Sequence, residues 1–223
     1  MAVKIGWCVA EPRYSDMLQD PPELLRVDIR CPVIAAWAAQ TYVIRAPFDL
    51  DIEFKVSGEG AALAWRTDYD FMIDPHTIVP FTNPSQWRAP TLPSIQWVLN
   101  NLFVADETVF VETCAPFFHY RDKPLPGVMM PARFDIRSWT RPLQWVFEWH
   151  DRGQPLQIKR GDPIQYVRFH TPNMNETFKI QRIEYSEPLE AAVKRCRGLG
   201  PFRRNLHEVG DALLGRRPKR FLS

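Results

Sequence analysis

The chain has 223 residues, with 28 Lys or Arg against 26 Asp or Glu and a formal net charge of +2, so no strong overall field commits it to nucleic acid or an acidic surface. An apolar share of 45% provides for a sizeable core, while twenty-one prolines exclude long helices and favour short strands with rigid connections. No apolar run approaches the roughly 18 residues that span a bilayer, and MAVKIGWCVAEP lacks the apolar stretch and cleavage site of a signal peptide.

In chain order, Val3 to Val9 reads as a first strand, ended by Glu11-Pro12, and the Pro-Pro segment from Asp16 to Pro22 as an irregular loop. Cys31-Pro32 opens VIAAWAAQ, whose alanines predict a helical turn or two with Pro at the first position. Phe48, Leu50, Ile52, Phe54 and Val56 alternate with Asp49, Asp51, Glu53 and Lys55, the pattern of a strand with one buried face. The proline-studded stretch 57–93 is too long for a structureless loop, so short edge strands are expected within it. Ser94 to Val104 and Thr108 to Thr113 read as a hairpin turning at Ala105-Asp106-Glu107, and Pro116 to Gly127 as a second proline-studded connection.

The stretch from Met130 to Pro172 organises the chain. Leu143, Trp145, Phe147 and Trp149 fall on one face of an extended segment, with Gln144 and Glu148 on the other. Leu156 to Lys159 gives a second strand after Gly153-Gln154-Pro155, and Arg160-Gly161-Asp162-Pro163 turns the chain into a third from Ile164 to His170. The expectation is the central meander of an antiparallel domain. Thr177 to Ile183 adds a last strand, Pro188 to Gly198 or Gly200 a helix, and Phe202 to Leu214 a second short helix. The predicted fold is mainly β: one antiparallel β-sandwich of jelly-roll or cupin-like type over residues 1–186, followed by a basic helical tail over 187–223.

Four constellations could carry chemistry. A non-haem iron site needs two histidines and a carboxylate. His150 with His170, joined by Asp151 or Asp122, are the candidates, with His119 as a further ligand and Arg168 to bind a carboxylate. That reading is a cupin-like oxygenase using Fe(II) and 2-oxoglutarate. The plainer reading leaves the histidines at strand ends, bonded locally. Second, Phe134 to Pro142 sets Arg137 and Arg141 around Trp139, suited to cation–π stacking and a salt bridge to Asp135, or simply to a corner before the central strand. Third, Arg216, Arg217, Lys219 and Arg220 form a basic cluster within 194–220 that could contact phosphates or an acidic protein, or remain a solvated terminus. Fourth, IKRGDPIQYVRF, ending at Phe169, loosely resembles the last strand pair of trimeric dUTPases and dCTP deaminases, without their Ser-rich phosphate segment. The four cysteines, Cys8, Cys31, Cys114 and Cys196, form no CxxC pair and read as reduced thiols in a cytoplasm. No Gly-x-Ser-x-Gly, P-loop or GxGxxG occurs.

PARFDIRSWTRP (Pro131 to Pro142) and GDPIQYVRF (Gly161 to Phe169) together resemble an uncharacterised family encoded by tailed phages of the cyanophage-like myovirus kind and by some large viruses. The family pattern is approximately IPGxFDIGxWxRP followed by GDPLFYVRF, and a bacterial domain of unknown function is more distantly similar. The chain departs at Ala132 and Arg137, where the family tends to have Gly. The resemblance implies a viral origin and a compact β-fold, in the host cytoplasm or the virion, and brings no activity with it. With no coherent catalytic set, the expected function is non-enzymatic: binding a protein partner or self-assembly, without a cofactor or a membrane.

Overall fold

The computed structural model describes residues 2–10, 20–28, 30–57, 60–66, 78–173, 176–199, 213, 215, 217–218 and 220–222. They form a mainly β structure of four open sheets. The strands are β1 (Val3–Val9), β2 (Glu23–Leu24), β3 (Thr41–Arg45), β4 (Leu50–Ser57), β5 (Gly60–Trp65), β6 (Ser94–Val98) and β7 (Asn101–Val104). They continue with β8 (Phe110–Cys114), β9 (Gly127–Met129), β10 (Ala132–Asp135), β11 (Gln144–Trp149), β12 (Leu156–Ile158), β13 (Pro163–His170) and β14 (Phe178–Arg182). Helix α1 is Pro32–Ala38 and α2 is Glu187–Leu199. Pro32 stands at the start of α1, where its missing N–H costs nothing.

The strands of the organising stretch do not pair with one another. β11 pairs with β6 and β9, β12 with β4, and β13 with β3 and β8, so the expected meander is replaced by three successive strands in three different sheets. Spread over separate sheets, these strands turn their apolar faces onto one core, where Trp145, Phe147, Trp149, Val167 and Phe169 are completely buried. Trp145 stacks on Phe147 of its own strand at 4.9 Å and ties its sheet to that of β13 by donating its indole N–H to the Ile164 carbonyl at 2.9 Å. Gly127 lets β9 approach β11, since a Cβ there would come within 1.9 Å of the Glu148 carbonyl oxygen.

The expected 94–113 hairpin also resolves differently. Asn100 takes a left-handed conformation (φ 50°), which Asn tolerates better than most residues, and breaks the segment into β6 and β7. β7 then pairs with β1, and β8 with β10 and β13. The pairing of β1 with β14 is parallel, so the molecule is not wholly antiparallel. β1 is buried on both sides: Ile5 and Trp7 face the main core, while Cys8 and Ala10 join Leu189 and Val193 of α2 in a second cluster. The expected edge strand within 57–93 is β5; residues 67–77 and nearly all of the expected helix over 202–214 lie outside the described residues.

Candidate functional site

The five-stranded sheet runs β10-β8-β13-β3-β2, and its two faces have different fates. Ile44, Val111, Val167 and Phe169 face the main core. By alternation, Tyr166 with its cross-strand neighbours Val43 and Cys114 faces outward, where α1 and the 115–121 loop cover it. Trp37 of α1 meets Phe117 at 5.1 Å, Phe118 at 5.7 Å and Tyr166 at 6.0 Å. Arg168 lays its guanidinium over the Trp37 ring at 4.7 Å.

The loop is pinned by one hydroxyl. The Tyr166 oxygen accepts the Phe118 main-chain N–H at 3.2 Å, leaving its own O–H to donate to His119 Nδ1 at 2.7 Å. Burial pushes the Tyr166 hydroxyl up to about 12, and burial with the nearby Arg45 charge holds His119 below its ordinary range. A protonated phenol facing a neutral imidazole is therefore the stable pairing. Arg121 braces the same loop on Asp162 (3.3 Å) and the Pro163 carbonyl (3.1 Å). Above this support stand Val33, Phe117 and Tyr120, respectively 76%, 62% and 88% exposed, beside a helix that carries no charged residue. An open cleft of about 480 Å³ meets the loop at His119 and is lined also by Glu23, Leu24, Leu25, Arg26 and Arg45.

Next to the shelf, the outward row Arg133–Glu112–Arg168 crosses three strands. His170 Nε2 lies 3.3 Å from Glu112, and Arg168 lies 4.0 Å from it. Burial and the Arg168 charge hold His170 below its usual value.

The predicted metal ligands are not brought together. His150 follows β11 and bonds to Glu148 at 2.7 Å, whereas His170 ends β13 in another sheet. Asp151 closes an exposed turn by accepting the Gly153 N–H, Asp122 is exposed, and His119 belongs to the aromatic shelf. Among the described residues no group of three or more His, Cys, Asp or Glu converges. Glu148 instead is a buried carboxylate paired with two solvent-accessible side chains, Arg88 and His150. Its carboxylate accepts two hydrogen bonds from Arg88 (2.7 and 3.2 Å) and one contact from His150, which hold it below the usual carboxylate range, the Arg88 bonds most strongly.

The 134–142 segment is a tight corner. Asp135 accepts the Arg137 main-chain N–H at 2.9 Å and lies 3.3 Å from Ser138 Oγ; Arg141 stacks on Trp139 at 5.3 Å, and Trp139 packs against Cys196 and Leu213. In the basic segment, Arg216 and Lys219 lie outside the described residues and Arg220 is exposed. Arg217 is buried rather than free: it donates to the carbonyls of Ala105 and Arg137 and sits by Asp106. The glycine turn of the nucleotide-like segment is structural, with Gly161 at φ 82° and Arg160 N–H bonded to Asp49. Gln165 is fully buried on the core face, out of reach of a surface ligand, and its amide has no partner among the described residues. All four cysteines are free.

The shelf residues were missed by sequence reasoning, although a signal existed. Phe117-Phe118-His119-Tyr120 is an aromatic run inside a proline-bounded connection, where core demand alone would not place it. Comparison with protein-family models, curated proteins and solved structures finds no match to this chain.

Proposed function

We propose that this chain is a non-enzymatic, phage-type β-sandwich protein of jelly-roll organisation that works by docking a protein partner on the outer face of its five-stranded sheet. The observation that carries this reading is Phe117, exposed yet packed on the rings of Trp37, Phe118 and Tyr166, with Val33 of α1 and Tyr120 of the same loop also exposed. Apolar side chains cost solvation when exposed, and a rigid aromatic anchor loses little conformational entropy on binding. Arg26 in the cleft suits a partner's carboxylate, while Arg45 is already paired with Glu23 at 3.0 Å. Four open sheets around one aromatic core support the sandwich reading, and the phage-like segments support an origin in a virion or an infected host cytoplasm. Among the described residues no helix is long and apolar enough to cross a membrane.

The iron oxygenase alternative draws no support from the geometry, because His150 and His170 stand in separate sheets. Nucleic-acid contact through the basic segment loses Arg217 to its buried contacts. The docking reading is tested with Phe117→Asp and Val33→Asp, using an exposed Thr91→Asp as a charge-matched control. A partner captured by the wild-type chain, then purified and titrated directly, should bind the control normally and the two shelf variants at least about tenfold more weakly. Equal affinity across all three variants would refute the proposal.

A further inference from the structure

One end of the five-stranded sheet is β10, and the outer edge of that strand is bare. Ile136 donates its main-chain N–H to the Val109 carbonyl at 2.9 Å, and Ala132 donates to Thr113 Oγ1 at 3.1 Å. Residues 132, 134 and 136 therefore turn their main-chain groups toward β8. By alternation Arg133 turns its N–H and its carbonyl the other way, as Asp135 turns its N–H. No described residue pairs with these three groups. The Asp135 carbonyl is already engaged, by the Trp139 N–H at 2.8 Å. Pro131, Ala132 and Arg133 are exposed side by side. Other edges differ: β2 has only 2 residues, and the outer side of β6 is taken by the Phe81 bridge to Ile95 and by the Thr82 N–H on the Ser94 carbonyl.

The charge beside this edge is unpaired as well. Glu112 stands directly opposite Arg133 on β8, yet its carboxylate lies 3.3 Å from His170 and 4.0 Å from Arg168. Among the described residues no carboxylate comes within salt-bridge reach of Arg133, whose guanidinium rests over the Phe110 ring at 5.0 Å. A lone cation on an open edge wards off cationic strands and favours an acidic one. In a strand added antiparallel to β10, one residue exchanges both close hydrogen bonds with Arg133 and sets its side chain on the same side of the sheet. The residue before it lies opposite Phe134, which is half-buried and packs on the main core. The fitting pattern is apolar, then acidic. A second copy of β10 does not fit. Pairing on Arg133 sets two arginines face to face, and pairing Arg133 with Asp135 needs the carbonyl that Trp139 holds.

We infer that β10 is a strand-addition site for an extended segment of a partner protein, in which an apolar residue is followed by an acidic one that pairs with Arg133. The partner's main chain supplies the grip, through the Arg133 N–H and carbonyl and the Asp135 N–H. Its acidic side chain supplies the selectivity. This edge is separate from the aromatic shelf and does not rest on that reading.

The probe is a blocked peptide, acetyl-Thr-Val-Glu-Val-Thr-amide, titrated into the full-length, isotope-labelled chain and followed by its main-chain amide resonances. The Arg133 and Asp135 amides should shift, and the Arg133 N–H should exchange with deuterium more slowly when peptide is in excess. Replacing the peptide's Glu by Lys sets like charges opposite each other and should weaken binding at least about threefold. N-methylation of that Glu removes the N–H that the Arg133 carbonyl accepts and should abolish binding. Arg133→Glu should reverse the preference, favouring the Lys peptide. If that variant fails to fold, Arg133→Ala should erase the preference while both peptides still bind. Phe117→Asp should leave the titration unchanged, which separates this result from the shelf reading. Unmoved Arg133 and Asp135 amides, or equal binding of the N-methylated peptide, would overturn the proposal. So would a two-chain species in light scattering that the Glu peptide does not dissociate, because a second copy would then hold the edge.

Discussion

The aromatic residues between the sheets and those on the outer face of the five-stranded sheet are the same chemistry in two settings. Trp97, Trp145, Phe147 and Trp149 are fully enclosed and meet one another along β6 and β11 of one sheet, and Trp149 reaches Phe54 of β4 in another sheet at 6.0 Å. Trp37, Phe118 and Tyr166 build a cluster of comparable ring contacts, yet it ends in Phe117 and Tyr120 pointing at water. The inner set joins its own sheet to those of β4 and β13, through Trp149 on Phe54 and the Trp145 indole N–H on the Ile164 carbonyl. The outer set spends its packing on supporting exposed groups, so changes to its tip should affect contacts with other molecules more than folding.

That contrast can be broken from the inside outward. Trp145→Ala should cost about 3–5 kcal/mol in denaturant unfolding, through lost burial and the cavity left behind. Gly127→Ala drives a Cβ into the β11 backbone and should cost about 3 kcal/mol or more; a neutral result would mean that β9 does not approach β11 so closely. Glu148→Gln should cost about 1–3 kcal/mol by weakening the Arg88 and His150 contacts. Because the Glu148 carboxyl is held low when folded, its contribution is present above the ordinary carboxylate value and lost as pH falls through the lowered one. The variant should therefore show a shallower acid limb.

Toward the outside the effects shrink. Tyr166→Phe removes the hydroxyl that holds Phe118 N–H and His119 and should cost about 1 kcal/mol. His119 and His170 are both held below their ordinary value, so the unfolded chain takes up protons first. Stability should fall as pH drops below the unfolded value of about 6.5, and the double substitution His119→Gln with His170→Gln should flatten that slope in thermal melts. Tyr120→Ala should stay within about 0.5 kcal/mol of the wild-type chain, and Phe117→Ala, which gives up ring contacts with Trp37, Phe118 and Tyr166, should cost about 1 kcal/mol. A large loss of stability at Phe117 would make the shelf a second core and remove the distinction.

Strands were legible in the sequence because alternation is a local property. Val3–Val9 and the buried set Leu143, Trp145, Phe147 and Trp149 could be read directly. Partners were not legible, since β11, β12 and β13 each satisfy their hydrogen bonds with strands remote in sequence and no local pattern encodes that choice. The wet face of an alternating strand also misled: Glu148 is buried because Arg88, 60 positions earlier, closes over it. His150 and His170 looked like a pair across a hairpin that does not form. The shelf needed Trp37 and Phe117 to be placed on one sheet face by Tyr166, a juxtaposition that only the tertiary fold creates.

The parallel pairing of β1 with β14 joins Val3 to Phe178, almost the whole length of the described chain apart. On a ribosome adding about 5–20 residues per second, β1 would wait roughly 10–35 s for its neighbour to be made. Through that interval its two apolar sides, Ile5 with Trp7 and Cys8 with Ala10, have no complete shelter. Such long-range closure makes for slow folding, and it makes the newborn chain a natural client for holding factors during synthesis.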